Sequence, residues 1–364
     1  MRLLVAGGGT GGHLFPGIAV ADEVTRRGGG DVLFVGTSRG IETRAVPAAG
    51  YALETLEVSG LKRMGIAGTL RGLFRLPLAI AKSFTILRRF KPEVVLGVGG
   101  YASGPMVLAA ALLRYPTAIQ EQNSVPGITN RVLGRLVRAV FTAFEDAARY
   151  FPARKIERLG NPVRQKIVAA LTRVTSAETT SGKLRILVVG GSQGARAVSD
   201  LVTSAAATLA AANVDFTLVH QTGTADLERI QERYRTLGLA DRVAVKAFID
   251  DMATAYAEAD VVVARAGALT LAELAIAGRP AILIPLPTAA DDHQRKNAER
   301  FAKAGAALLL DQRTARAEDL VTAITGLAKD PAKRAATAAA MRALACPQAA
   351  QAIVDRLEAL ARKA

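Results

Sequence analysis

The sequence predicts an α/β protein built from two doubly wound parallel sheets. Three observations carry that prediction. Apolar, β-rich runs alternate with amphipathic stretches along the whole chain, as a parallel sheet covered by helices requires. Near the middle, residues 169–183 (AALTRVTSAETTSGK) are rich in Ser, Thr and Ala and poor in large apolar side chains, which marks a connection between domains. Each half then opens the same way, with a strand running into a glycine-rich turn and a helix: LLVAGGGTGG at the start, and ILVVGGSQGAR from Ile186 to Arg196.

In the first half, strands are expected at 2–6, 31–35, 93–98, 117–120 and 138–142, with helices in the gaps. LFPGIAVADEV, directly after the first glycine turn, has the apolar spacing of a helix. In the second half, strands are expected at 184–189, 214–219, 242–246, 260–263 and 281–284. The closing VDRLEALARKA is another amphipathic helix, expected to cross back onto the first domain. The expected organisation is a domain over 1–163, a linker over 164–183, a second domain over 184–340 and a C-terminal helix within 341–364. Sheets of this kind bind ligands beyond the carboxyl ends of their strands, so two of them facing each other would make a cleft lined by loops from both.

Composition bounds the function. A chain of 364 residues exceeds one comfortable core, which agrees with two domains. Half of it is hydrophobic and it holds a single cysteine, Cys346, which describes a reduced, packed protein without disulfides or cysteine metal sites. MRLLVAGGG has too short an apolar run for a signal peptide, and no run reaches membrane-spanning length, so a cytoplasmic protein is expected.

The net charge of +15 calls for a partner. Nucleic acid is disfavoured, since aromatics make up 5% and Trp is absent, leaving little with which to stack bases. The charge gathers between Val58 and Pro92, where Lys62, Arg63, Arg71, Arg75, Lys82, Arg88, Arg89 and Lys91 occur without one acidic residue. Interleaved apolar residues such as Leu70, Phe74, Leu78, Ile80 and Phe84 suit an anionic bilayer face, where each basic residue adds roughly 1 kcal/mol. A helix that packs its apolar stripe on its own core is the alternative, and it leaves the missing acids unexplained.

Five segments concentrate small and polar residues at strand ends. The opening GGGTGGH has five glycines in seven positions, so its amides can be approached closely at a helix start, and His13 adds a titratable ring. It matches neither a dinucleotide-binding GxGxxG turn nor a Walker loop. GVGGYASGP (Gly97 to Pro105) offers further glycines with the hydroxyls of Tyr101 and Ser103. EQNSVPG sets Glu121, Gln122 and Asn123 side by side, a carboxylate and two amides suited to sugar hydroxyls, although turn chemistry and helix capping also explain such segments. GGSQGAR is a natural diphosphate cradle with Ser192 as an added donor, and Arg164 in GNPVR stands at the domain junction. RAGALTLAE followed by DDHQRKNAE supplies another small-residue turn before a helix, then Glu273, then Gln294 and Asn297 on one helical face. No metal or cofactor is expected: His13, His220 and His293 are far apart, and the carboxylate pairs Asp250-Asp251 and Asp291-Asp292 are adjacent rather than alternating. Amides and helix dipoles would then stabilise a leaving diphosphate.

Taken in order, GGGTGGHLFPGIAVADE, VLGVGGYASGP, EQNSVPGITNR, GNPVR, LVVGGSQGARA, HQTG, FIDDMATAYAEADVVVARAGALTLAE and DDHQRKNAE resemble the MurG-type N-acetylglucosaminyltransferases of bacterial cell-wall synthesis, in glycosyltransferase family 28. The resemblance implies a GT-B fold, with the lipid acceptor in the N-terminal domain and the nucleotide sugar in the C-terminal one. It implies inverting transfer of GlcNAc from UDP-GlcNAc to the C4 hydroxyl of the muramoyl sugar in undecaprenyl-diphosphate-linked MurNAc-pentapeptide, lipid I, giving lipid II. It further implies a peripheral protein on the cytoplasmic face of the inner membrane, among other proteins of cell-wall synthesis.

Carried over by position, the donor residues are Thr10, Gly11, Gly12, Asn123, Arg164, Ser192, Ile249, Ala268, Leu269, Thr270, Leu271, Ala272, Glu273 and Gln294, with Asn297 added from its side-chain chemistry. Glu273 should accept from the ribose hydroxyls, the Ile249 backbone should pair with uracil, and Ser192 should hold a phosphate. Asn123, Gln294 and Asn297 suit the GlcNAc hydroxyls and acetamido group. The acceptor side is expected to use Gly11, Gly12, His13, Gly99, Gly100 and Tyr101. His13 is the first choice of general base and Glu121 the rival. A GT-B enzyme acting on another lipid acceptor, and a non-catalytic nucleotide-sugar-binding protein, are the competing readings.

Overall fold

Near-continuous apolar runs mark the strands because a parallel sheet is buried on both faces. The computed structural model describes residues 1–58, 66–173, 183–191 and 194–363. Contacts divide the chain into two units, Met1–Gln165 with Cys346–Ala364, and Lys166–Ala345.

The first unit holds seven parallel strands: β1 (Leu3–Gly7), β2 (Val32–Thr37), β3 (Ala52–Leu56), β4 (Val94–Gly99), β5 (Thr117–Glu121), β6 (Ala139–Thr142) and β7 (Ile156–Arg158), in the order β3-β2-β1-β4-β5-β6-β7. Its first five helices are α1 (Gly11–Arg26), α2 (Glu42–Ala48), α3 (Ile66–Phe90), α4 (Ser103–Leu112) and α5 (Ile128–Leu133). Side chains alternate across the sheet. Leu3 and Val5 enter the core shared with α1, whereas Leu4 and Ala6 enter the core shared with α4. In α1, Leu14, Ile18, Ala21 and Val24 recur on one face and are buried there.

The chain leaves this unit through α6 (Gln165–Arg173), so the expected linker begins as a helix. Ile167, Val168 and Leu171 explain it, since their spacing gives a short apolar stripe on which Val168 and Leu171 are buried.

Six parallel strands form the second sheet: β8 (Leu184–Val189), β9 (Phe216–Gln221), β10 (Val243–Lys246), β11 (Val261–Ala264), β12 (Ala281–Leu283) and β13 (Ala307–Leu309), in the order β10-β9-β8-β11-β12-β13. Around it lie α7 (Arg196–Ala211), α8 (Leu227–Thr236), α9 (Met252–Glu258), α10 (Ala268–Ala277), α11 (His293–Lys303), α12 (Ala317–Ala328) and α13 (Pro331–Ala343).

The last helix, α14 (Ala349–Arg362), belongs to the first unit and packs on α1. Ile353, Val354 and Leu357 are fully buried in the same core as Leu3 and Leu14. Arg27 ties the two helices together through Asp355 at 2.6 Å and the Gln351 carbonyl at 3.2 Å.

Every strand expected from the sequence is present within two residues at each end. β3, β7 and β13 were not expected. All three are edge strands; β3 and β7 are interrupted by polar residues and lack the continuous apolar run that marks a buried strand, whereas β13 lies in such a run, Ala306–Leu310, but is only three residues long.

Candidate active site

Strand order reverses between β1 and β4 in the first sheet and between β8 and β11 in the second, and doubly wound sheets bind ligands at the carboxyl ends of the strands at such points. In the first unit the loops after β1, β4 and the adjacent β5 carry the expected residues. Thr10 stands at the start of α1 without capping it by its side chain, and the first turn of α1 holds no acidic residue. By contrast, α9 and α13 are capped by Asp251 and Asp330, whose carboxylates accept the N–H groups of Thr254 at 3.0 Å and Lys333 at 2.8 Å. An uncapped helix start keeps its unpaired N–H groups and partial positive charge for an anion.

Not every amide of the glycine loop serves that purpose. Gly8 N–H donates to Gly99 O at 3.2 Å, and Gly9 N–H donates to Glu42 Oε2 at 2.7 Å. Glu42, wholly buried at the start of α2, takes Thr37 N–H and the Thr37 hydroxyl on its other oxygen, each at 2.7 Å. Burial alone would raise its pKa, but these hydrogen bonds outweigh it and hold the carboxyl below its usual range. An anion is therefore left with the amides of Thr10, Gly11 and Gly12. Sequence reasoning missed Glu42 because the amide it holds lies 33 residues away.

His13 rests on the end of β4. Gly99 adopts φ +92°, and a Cβ there would stand 2.8 Å from His13 Nδ1, so only glycine admits the ring. His13 Nδ1 lies 3.1 Å from Gln122 Oε1, and Gln122 Nε2 donates to Val98 O at 3.0 Å. Gln122, expected to face sugar hydroxyls, is instead wholly buried between the imidazole and the β4 backbone. Desolvation of the half-buried ring lowers the His13 pKa below the usual 6.5, against the pull of Gln122 and the Val98 backbone. That shift favours the neutral imidazole.

Glu121 is also wholly buried. One oxygen accepts Asn123 N–H at 2.9 Å and the other accepts Asn130 Nδ2–H at 2.8 Å, while burial raises its pKa. Asn123 is half-buried beside it, and Tyr101 is exposed after the β4 glycines. The Arg164 guanidinium lies over the Phe15 ring, 5.4 Å from its centroid.

The second unit repeats the design. α7 and α10 both start without a side-chain cap and without an acidic residue in the first turn. Gly191 and Gly194 precede α7; Ser192 lies outside the described residues. Ala268 to Glu273 form the first turns of α10, and Tyr256 on α9 donates its hydroxyl to Glu273 Oε2 at 3.2 Å. Burial, then the Glu273 charge, push the Tyr256 pKa well above 10, so that hydroxyl stays a donor. Arg265, which the sequence did not single out, donates to the carbonyls of Ile284 at 3.0 Å and Pro285 at 3.2 Å, and burial lowers its pKa to about 10. Its charge stands two residues before the α10 N-cap, Gly267.

Gln294 Oε1 accepts Leu286 N–H at 3.0 Å, which fixes the amide against the loop after β12. Asn297, expected to offer its amide to the sugar, is wholly buried and donates to Ala266 O at 3.3 Å. It braces the turn before α10 from beneath. Ile249 is half-buried in the loop after β10. Among the described residues no group of three or more His, Cys, Asp or Glu could hold a metal ion.

The first unit also carries an apolar, basic surface. Residues 59–65 of the expected membrane segment lie outside the described residues, but Leu76 and Leu78 on α3 are exposed, the latter by 71%. α4 packs on both α3 and α5, and exposes Leu112 at its end. Ile128, Val132 and Leu136 are also exposed, at a four-residue spacing, with Arg131, Arg135 and Arg138 among them in the sequence. These exposed residues were not singled out in the sequence. Their signal was present, because no acidic residue occurs from 122 to 144.

Two Rossmann-like domains, each with uncapped helix starts at its switch point, define a GT-B fold. Residues 3–142 match the glycosyltransferase family 28 N-terminal domain and residues 185–353 match the glycosyltransferase family 28 C-terminal domain. The chain belongs to glycosyltransferase family 28. A relative from Anaeromyxobacter dehalogenans, 51% identical over 100% of this chain and 94% of its own length, is named UDP-N-acetylglucosamine--N-acetylmuramyl-(pentapeptide) pyrophosphoryl-undecaprenol N-acetylglucosamine transferase. A protein of the same name from Geobacter metallireducens is 44% identical over 100% of both chains. The crystal structure of MurG from Acinetobacter baumannii matches with a TM-score of 0.79 at 33% identity, covering 98% of this chain and 99% of that one.

Proposed function

We propose that the protein transfers N-acetylglucosamine from UDP-GlcNAc to the C4 hydroxyl of the muramoyl sugar in undecaprenyl-diphosphate-linked MurNAc-pentapeptide, inverting the anomeric centre. The observation that carries this reading is His13 in the first turn of a helix that starts without a side-chain cap, in a chain 51% identical over its full length to a protein named for that reaction. His13 takes the proton of the C4 hydroxyl as its oxygen bonds to the anomeric carbon, and the bond from that carbon to the diphosphate breaks. The electron pair leaves with UDP, and the amides at the starts of α7 and α10, with Ser192 and Arg265, stabilise its charge. Glu273, oriented by Tyr256, takes the ribose hydroxyls, the Ile249 backbone takes uracil, and Gln294 and Asn123 take the sugar.

Glu121 serves as the anchor of the 121–130 loop rather than as the base, since its oxygens hold Asn123 and Asn130. Thr10, Gly11 and Gly12, with Gly100 and Tyr101, hold the acceptor diphosphate. Exposed apolar residues of the first unit, Leu78, Leu112, Ile128, Val132 and Leu136, rest the protein on the cytoplasmic face of the membrane, where basic residues meet anionic headgroups and apolar side chains dip in. No described helix is long and apolar enough to cross a membrane.

The test is product formation with a donor panel. UDP-GlcNAc and a short-chain lipid I analogue should give a product heavier by one N-acetylhexosamine with β configuration, and UDP-glucose should give little. Turnover of UDP-GlcNAc only with a different lipid acceptor would overturn the acceptor assignment.

A further inference from the structure

A primary amide has one end that only donates and one that only accepts, so a buried glutamine held on both sides reports the proton positions around it. Gln122 is such a residue, wholly buried on the loop after β5. Val98 O can only accept, which turns Nε2 of Gln122 toward it at 3.0 Å and leaves Oε1 facing His13 Nδ1 at 3.1 Å. Oε1 can only accept in turn, so Nδ1 must carry the hydrogen. A neutral imidazole has one N–H, and its remaining lone pair then lies on Nε2.

We propose that Gln122 is a positioning residue that fixes His13 as the Nδ1–H tautomer and so presents Nε2 as the proton acceptor. The inference rests on the reading of His13 as the base. In water the neutral histidine side chain favours the opposite tautomer, with the proton on Nε2, which would have no lone pair there to give. Many catalytic histidines are oriented by a carboxylate, which also stabilises the imidazolium. A neutral amide sets the tautomer without adding that charge. With Nδ1 turned to Gln122, the lone pair lies on Nε2, the other nitrogen of the ring. Gly99 makes the arrangement sterically possible, because a side chain there would displace the ring from Gln122.

The test is ring ¹⁵N NMR on the full-length protein, with His13 assigned by loss of its signals in His13→Ala. The wild type near pH 7.5 should show a protonated Nδ1 and an unprotonated Nε2. Gln122→Met should move His13 toward the Nε2–H form and lower kcat at least about tenfold, and by no more than the roughly 10²–10⁴-fold that loss of a general base costs, with the Kd for UDP-GlcNAc unchanged. A wild-type ring protonated on Nε2 would overturn the proposal whether or not any variant folds. So would a Gln122→Met protein with the wild-type tautomer and full kcat. Full turnover by His13→Ala, with Nδ1–H seen in the wild type, would instead overturn the reading of His13 as the base.

Discussion

Glu42 and Gly9 are joined by a 2.7 Å hydrogen bond that locks a glycine loop onto a buried carboxylate. The flexibility that lets this loop approach a ligand is thereby removed before the ligand arrives. Glu42→Gln puts an amide NH₂ against backbone N–H groups, with no acceptor for one of them. We expect it to destabilise the protein by about 1–3 kcal/mol, read from the urea midpoint, and to raise KM for the acceptor more than for UDP-GlcNAc.

Tyr256 acts on Glu273 from behind, through a hydroxyl that never ionises in the working range. Tyr256→Phe should weaken UDP-GlcNAc binding by about 1 kcal/mol, a factor of about five, in calorimetric titration. Glu273→Ala should weaken it further. Equal affinity for UDP and for its 2′,3′-dideoxyribose analogue in the wild type would show that this carboxylate does not read the ribose.

His220 offers a test of stability against pH. It is wholly buried, with Tyr234 Oη 3.0 Å from Nδ1 and Ser199 Oγ 3.2 Å from Nε2, and burial lowers its pKa to about 4. The unfolded chain binds a proton near pH 6.5, so its contribution is fully present above that pH and is lost as pH falls toward about 4. At 1.36 kcal/mol per unit this amounts to about 3 kcal/mol. His220→Gln should lose less stability than the wild type between pH 6.5 and 4, measured by urea denaturation at each pH.

The proposed membrane contact can be tested without touching the core. Ile128 and Val132 are more than half exposed, at 59% and 55%, so Ile128→Glu and Val132→Glu should leave the fold intact. Together they should reduce sedimentation with vesicles containing anionic lipid at least about tenfold, and added salt should weaken wild-type binding. Unchanged sedimentation would contradict membrane contact through Ile128 and Val132.

How far the molecule was legible in its sequence follows from how local each signal is. β8, with LRILVV almost wholly buried, shows its bounds directly, whereas β7, two half-buried residues and an exposed one at a sheet edge, shows nothing. The placement of His13 and Glu273 on α1 and α10 was legible because small-residue turns precede both helices. Gln122 was visible but misread, since its partner His13 lies 109 positions away and only the fold brings the two together. The roles of Glu42 and Tyr256 depend in the same way on contacts across 33 and 17 positions. Asn297 was placed on the ligand face by helical spacing, but spacing does not say which side of α11 faces the sheet.

The most direct test of the central claim is single-turnover UDP release with a short-chain lipid I analogue, comparing wild type and His13→Ala across pH, with UDP-GlcNAc affinity measured alongside. The lowered His13 pKa predicts that the acidic limb of wild-type kcat/KM falls below pH 6.5, because the base is lost only once the ring protonates. His13→Ala should bind UDP-GlcNAc normally, lose roughly 10²–10⁴-fold in turnover and lose that limb. Wild-type rates with an unchanged pH profile in His13→Ala would contradict the mechanism.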